Sequence, residues 1–278
     1  MSGDELPTAR RLLGKLPFVD PGRPPLPART AFLTGASSGI GKALAAELCA
    51  RDYDVCLTAR RIDALEELQA QLTAAFPRRS VTVAALDVTD YEAVTRAVDD
   101  ATWRFGRLGL VIANAGADTW GNIGEGRFDA HRAVVDVNLL GAMATIDAAV
   151  THFRRQGAGQ VVGVTSVAAV CGVPGGSPYS ASKAGLARYL QSLRGELWKS
   201  GITVTTIAPG YIDTPINDSL GDKRPFLIDT RTGARKIMDR VEAGAVHATV
   251  PRVPWAVVEY LLARTPTHML RKLEHFEN

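Results

Sequence analysis

The chain has 278 residues and a net charge of +3, from 32 basic and 29 acidic side chains, and 46% of it is hydrophobic. That length suits one large α/β domain or two small ones and can bury a full core without staples. The balanced charge argues against nucleic acid or a membrane surface as the main partner.

Residues 1–29 carry Pro7, Pro17, Pro21, Pro24, Pro25 and Pro27 and read as an arm with little regular structure, apart from a short basic helix over Thr8–Leu16. From Thr30 short apolar runs alternate with helical periods. A strand over Ala31–Thr34 leads to a helix over Ile40–Arg51, whose apolar face is Leu44, Ala45 and Leu48. Strand Val55–Ala59 and helix Ile62–Phe76 follow, then strand Val81–Leu86 and helix Tyr91–Phe105. Strand Leu108–Ala113 precedes a long helix, or two joined ones, over Arg132–Gln156. Strand Val161–Thr165, helix Tyr179–Lys199 and strand Val204–Ala208 complete the alternation. Asp213–Val246 is polar and irregular, with a helical stretch near Thr232–Glu242, and a last strand is expected around Val246–Val250. Trp255–Leu273 has apolar residues at helical spacing and reads as a packing or dimer-contact helix. A membrane-surface role for it is a minor alternative, because Glu259 and Glu274 dilute the basic character of Arg264, Arg271 and Lys272.

Strands alternating with helices of this length predict βαβ units: a doubly wound parallel sheet, Rossmann-like, covered on both faces. The expected organisation is a single α/β domain over 30–250, with 213–246 as a substrate-loop region, between the N-terminal arm (1–29) and a C-terminal helical extension (251–278). Cys49, Cys56 and Cys171 are odd in number and unpatterned, so they read as buried free thiols in a reducing compartment, not as a disulfide framework or metal site. No uninterrupted apolar run approaches the ~18 residues of a membrane span. The N-terminus lacks the apolar core of a secretory signal, so the expected location is cytoplasmic.

Thr34-Gly35-Ala36-Ser37-Ser38-Gly39-Ile40-Gly41 follows the first strand and opens the first helix. In that context Gly35 permits a tight turn, Gly39 lets backbone approach a diphosphate, and Gly41 allows close helix–sheet packing. The helix N-terminus offers free N–H groups and partial positive charge. Three residues separate the first two glycines, where the usual G-x-G-x-x-G pattern has one. After the second strand stand Arg60 and Arg61. An acidic residue there would bind the ribose 2′-hydroxyl of NAD, whereas an arginine can pair with the 2′-phosphate of NADP, with Ser37 as a helper. The bland alternative is that both arginines face solvent at a helix start.

Tyr179 and Lys183 are spaced i, i+4, which stacks them on one helix face. An ammonium beside a phenol favours the phenolate and is expected to lower its pKa, so that the phenol can exchange a proton with a carbonyl or alcohol near neutral pH. Ser166 ends the fifth strand and can bring a second hydroxyl to the same oxygen. Alone, the Tyr-x-x-x-Lys pattern is short and common, and a surface pair is the simpler reading.

The full set of motifs changes that balance. Over roughly Thr30–Pro215 the chain resembles the classical short-chain dehydrogenases/reductases. Their glycine loop matches Thr34–Gly41, and their acidic adenine contact after the third strand matches Asp87, followed by Val88. Their Asn-Ala-Gly matches Asn114, Ala115 and Gly116, with Ala113 where a second asparagine is frequent. Their helix asparagine matches Asn138, their serine, tyrosine and lysine match Ser166, Tyr179 and Lys183, and their Pro-Gly matches Pro209 and Gly210. Ile212 and Thr214 follow in the segment where the family contacts the nicotinamide. The resemblance implies an NADP(H)-dependent oxidoreductase, NAD(H) being the second choice, acting on a carbonyl or secondary alcohol. Tyr179 would be the general acid or base, and Lys183 would tune it and hold the nicotinamide ribose. Ser166 would bond the substrate oxygen, and Asn138 would bind a water relaying protons. Ala168, Val170, Val173 and Trp120 suggest apolar pocket walls. The resemblance also implies a homodimer or homotetramer paired through Arg132–Gln156 and Tyr179–Lys199. Two other functions are weighed: a catalytically silent NADP(H)-binding sensor or scaffold, which would be expected to lose the tyrosine or lysine, and an epimerase, which would carry different glycine spacing and a larger C-terminal domain.

Overall fold

A computed structural model describes residues 26–216, 224–266 and 268–270 of the chain. The N-terminal helix expected over Thr8–Leu16 and the end of the C-terminal extension lie outside the described residues.

Seven strands form one sheet in the order β3-β2-β1-β4-β5-β6-β7. They are β1 (Thr30–Thr34), β2 (Asp54–Ala59), β3 (Val81–Ala85), β4 (Leu110–Ala113), β5 (Gly159–Val164), β6 (Ile202–Pro209) and β7 (His247–Val250). Every neighbouring pair is parallel. Alternation along the strands decides which face each side chain covers. Ala31, Leu33, Val55, Leu57, Leu110, Ile112, Val162 and Val164 share one core layer, while Phe32, Cys56, Val111 and Val161 between them share the other. Both faces are dry, which is why these strands read as unbroken apolar runs.

The helices cover the two layers. Helices α1 (Gly39–Ala50), α2 (Ile62–Ala75) and α7 (Thr230–Glu242) close the first through Leu44, Leu48, Leu68, Ile237 and Met238. Helices α3 (Tyr91–Phe105), α5 (Ala142–Gln156) and α6 (Ser177–Glu196) close the second through Val94, Ile146, Phe153, Leu186 and Leu190. A short α4 (Phe128–Val135) runs into α5 through a π-helical turn, Asp136–Gly141, and α8 (Arg252–Leu262) follows the last strand. The doubly wound parallel sheet expected from the sequence is therefore what the chain forms.

Several boundaries move, each for a local reason. β4 starts at Leu110 because Gln156 clasps the preceding turn, its amide bonding both the N–H and the C=O of Leu108 at 3.2 and 2.9 Å. Helix α7 begins two residues earlier than its apolar pattern because the Asp229 carboxylate caps it by accepting from the Thr232 N–H at 2.8 Å. Helix α6 begins at Ser177 with Pro178 in its first turn, where a missing N–H costs nothing. Helix α8 ends at Leu262, short of the expected Trp255–Leu273, and Pro266 lies just beyond. Taken as one run, Phe128–Gln156 is the one helix among the described residues long and apolar enough to cross a membrane, although no uninterrupted apolar stretch in it reaches that length. Half of that apolar window is buried inside the fold, as a core helix requires.

β1 and β4 are adjacent although the chain leaves one for β2 and β3 and the other for β5. Open parallel sheets bind ligands outside the carboxyl ends of their strands at such a reversal.

Candidate functional site around the sheet's carboxyl edge

The loop after β1 is shaped by what glycine omits. Gly35 has φ +70°, and a Cβ there would stand 2.8 Å from the Ala115 Cα. At Gly41 a Cβ would stand 2.1 Å from the Gly35 carbonyl oxygen and 2.7 Å from the Asn114 amide. Gly39 has φ +53° and faces the Thr214 side chain, whose Cβ would be 3.3 Å from an added Cβ. Helix α1 begins here with no side-chain bond from its N-cap Ser38 and no acidic residue in its first turn. An uncapped, acid-free helix start over a glycine turn fits a diphosphate.

The turn after β4 is locked to this loop. The Thr34 hydroxyl accepts from the Asn114 and Ala115 N–H groups at 3.0 and 3.1 Å, and the Asn114 amide donates to the Thr34 carbonyl at 2.9 Å. Asn114 thus serves as a brace, with Ala113 buried beside it. The double duty of Thr34 was not read from the sequence; a hydroxyl at a strand end facing a glycine turn was the available sign.

Arg61 reaches back to the loop, its guanidinium donating to the Ser37 hydroxyl at 3.1 Å, and both Arg60 and Arg61 are exposed. Asp87, after β3, is held below the ordinary carboxylate range, first by the Thr89 N–H and then by the Thr89 hydroxyl, with Arg60 adding to the effect against the cost of burial. Val88 beside it is buried and packs where a Cβ on Gly141 would fall, 2.7 Å from its Cγ2.

Across the crevice, Ser166 follows β5 as the N-cap of a short 3-10 turn, Val167–Val170, its hydroxyl accepting from the Ala168 N–H at 3.1 Å. Tyr179 and Lys183 face the same region from α6. The Ser166 hydroxyl is near enough to the Tyr179 phenol to favour its ionised form. The Lys183 ammonium donates to the Val164 carbonyl at 3.0 Å and lies 5.8 Å from the centre of the Tyr179 ring. Tyr179 is half-buried, and Lys183 is 4% exposed.

The electrostatics correct one expectation. The Tyr179 phenol is pushed up, not down: burial is the largest cause, the Asp118 carboxylate and Tyr211 add to it, and only the Ser166 hydroxyl opposes it. Lys183 yields instead, pushed down to about 8 by burial. Desolvation by burial is the leading cause for both groups.

Asn138 arrives in the π-helical turn, fully buried. Its amide accepts from the Ala117 N–H and donates to the Ala117 carbonyl, both at 2.8 Å, and donates to the Ser182 hydroxyl at 3.1 Å. Ser182 in turn donates to the Tyr179 carbonyl at 2.7 Å. Its i, i+3 offset from Tyr179 was the sequence sign of this contact. A Cβ on Gly116 would lie 3.4 Å from the Asn138 carbonyl oxygen and 3.6 Å from the Lys183 ammonium, so the Asn-Ala-Gly turn and the buried lysine meet there.

Pro209 ends β6, and Gly210 accommodates the Trp255 indole, which a Cβ would approach to 2.2 Å. Ile212 is fully buried, and the buried Thr214 donates to its carbonyl at 3.3 Å. Trp255 packs edge-on against Tyr211, with ring centres 5.4 Å apart. Of the expected apolar walls, Ala168 and Val170 lie in the turn after Ser166 and are half-buried, as is Val173. Trp120 is more than a wall: its indole N–H donates to the Asp118 carboxylate at 2.9 Å. Among the described residues there is no group of three or more metal-ligating side chains.

Residues 29–225 match the family model described as short chain dehydrogenase. An uncharacterized oxidoreductase of Mycobacterium tuberculosis is 35% identical over 242 residues, 87% of this chain and 95% of that protein. A short-chain dehydrogenase from Sphingobium yanoikuyae in complex with NADPH superposes with a TM-score of 0.75 at 26% identity, over 84% of this chain and 91% of that one. A short chain dehydrogenase from Mycobacterium paratuberculosis bound to NAD gives 0.71 at 24% identity, over 81% and 96%, a likeness of fold.

Proposed function

The chain belongs to the short-chain dehydrogenase family of oxidoreductases, and from that premise we infer that it is an NADP(H)-dependent enzyme acting on the carbonyl or secondary alcohol of an apolar small molecule. The observation that carries this reading is Tyr179, beside Ser166 and one helical turn from a buried lysine whose ammonium lies against its ring. A bound nicotinamide supplies hydride chemistry; the protein's share is position, electrostatics and a proton.

Gly35, Ser37, Ser38, Gly39, Ile40 and Gly41 would cradle the diphosphate at the start of α1. Asp87 and Val88 would flank the adenine. Asn114, Ala115 and Gly116 would form the floor, and Pro209, Gly210, Ile212 and Thr214 the far wall. Arg60 and Arg61 would meet a 2′-phosphate, and the existing Arg61–Ser37 bond supports NADP over NAD.

The raised phenol keeps its proton at neutral pH, so Tyr179 is ready to act as an acid toward a carbonyl oxygen. Ser166 can donate to the same oxygen as negative charge develops on it. Lys183, cationic below about pH 8, stabilises the phenolate left behind. Asn138 positions the turn at Ala117 and, through Ser182, the helix carrying Tyr179. Pairing of two copies through α5 and α6 is part of the proposal: Asp147, Arg154, Tyr189 and Glu196 line an open groove between those helices.

The deciding experiment is a panel of ketones and aldehydes followed by NADPH absorbance, with NADH in parallel. Turnover favouring NADPH is expected. Equal rates with both cofactors would undo the arginine argument, and silence across a broad panel would undo the enzymatic one.

A further inference from the structure

Asp118 has no part in the motifs that led to this site, yet the fold spends several contacts on placing it. The preceding residue, Ala117, is gripped at both backbone groups by Asn138. Two residues on, the Trp120 indole donates to the Asp118 carboxylate at 2.9 Å. That indole lies on the segment leading into α6: a Cβ on Gly176 would be 3.0 Å from it, and the Gly121 N–H donates to the Gly175 carbonyl at 3.0 Å. Arg127 fixes the other side, donating to the Trp120 carbonyl at 2.6 Å and to the Thr119 hydroxyl at 3.3 Å. Asp118 is therefore held between the Asn138 anchor beside Lys183 and the segment just before Tyr179.

We propose that Asp118, aimed by Trp120, is a specificity-determining residue of the crevice, favouring carbonyl substrates that carry a positive charge or strong hydrogen-bond donor near the reacting carbon and disfavouring those that carry a carboxylate. This rests on the oxidoreductase reading above and revises its substrate class, from wholly apolar molecules to ones that carry a cationic or hydrogen-bond-donating group on an apolar body.

Three features give the carboxylate that role. It is half-buried, shielded enough for its charge to act and open enough to be met. The indole engages one oxygen, and an ionised carboxylate has about four acceptor sites. Its charge is also felt at the phenol, where Asp118 and Tyr211 oppose ionisation while Ser166 favours it; Lys183 lies against the same ring. The phenol thus feels a cation held against its ring and the carboxylate of the turn after β4, which the Trp120 contacts tie to the segment just before Tyr179.

The test uses three methyl ketones of matched shape: one with a quaternary ammonium, one with its neutral tert-butyl counterpart, one with a carboxylate. In wild-type protein kcat/KM should fall in that order. Asp118→Asn should compress the cation-to-anion ratio by about tenfold or more, the scale of one unscreened charge pair. Trp120→Phe, which keeps an aromatic side chain and removes the N–H, should give part of that compression. Absorbance titration, with Tyr179→Phe as the reference, should show the Tyr179 midpoint falling in Asp118→Asn. A ratio unchanged in folded Asp118→Asn overturns the proposal, as does a midpoint that stays in place. If wild-type protein reduces none of the three, the oxidoreductase reading is what fails. Affinities for the three ketones, measured by NMR titration, then decide the matter for Asp118, and equal affinity for cation and anion overturns it.

Discussion

The two halves of the crevice are built by opposite means. On the β1 side the chain removes side chains: Gly35 and Gly41 leave backbone against backbone, Gly39 leaves room for the Thr214 side chain, and Thr34 and Asn114 tie the loop down. On the β5 side it buries polar groups: Lys183 and Asn138 are almost fully enclosed, with bonds to Val164, Ala117 and Ser182. The first half is a matter of space and tolerates no added atom. The second is a matter of charge, where an isosteric change can leave the shape intact and stop the chemistry.

That contrast can be broken, and the most sensitive place is the phenol. Tyr179→Phe keeps ring and packing and removes the proton, so turnover should drop by ~10²–10⁴-fold, with melting temperature and cofactor binding near wild type. Loss of fold with loss of activity would mean that the β5 side is structural after all. Next comes Gly41→Ala, whose new methyl would meet the Gly35 carbonyl, a backbone atom with nowhere to go. A loss of about 3 kcal/mol or more is expected, read by denaturant melts; a wild-type midpoint would refute the steric account. A smaller effect is expected from Arg61→Ala, which removes the bond to Ser37 and should cut the preference for NADPH over NADH about tenfold. The ratio of KM values checks it. Smallest is the pH effect. Lys183 is cationic below about 8 and loses its charge above, while Tyr179 keeps its proton throughout, so carbonyl reduction should decline severalfold as pH rises past that point. In Lys183→Met the limb should vanish from the kcat/KM profile.

The sheet was legible because its strands are buried on both faces, and runs such as Ala31-Phe32-Leu33 admit little else. The glycine loop was legible because its spacing and its strand–turn–helix setting are both local. What escaped depends on distant parts of the chain. Leu108 looks like strand until Gln156 clasps it from another element. Helix α4 starts at Phe128, four residues before its expected position, behind Arg127, which offers no capping oxygen to mark the start. Trp120 read as apolar wall because the partner of its N–H cannot be guessed from composition. The direction of the Tyr179 shift escaped for the same reason: spacing shows a neighbouring ammonium, whereas the depth of burial emerges only when the whole crevice has closed.

The π-helical turn at Asp136–Gly141 makes a demand on the length of this chain as well as on its residues. A regular α-helix advances by ~100° per residue. Deleting a single residue from that wide turn would let α4 and α5 merge into an ordinary spiral. The helices on either side would keep their phase, because the wide turn absorbs one residue, and the change would fall on the side chains within the turn itself. Asn138 would face away from Ala117, and the Leu139 side chain, which sits against Gly185 of α6, would lose its seat. The local hydrogen-bond pattern would improve while the active crevice lost its anchor, so evolution can trim or extend this chain at its surface loops far more freely than here.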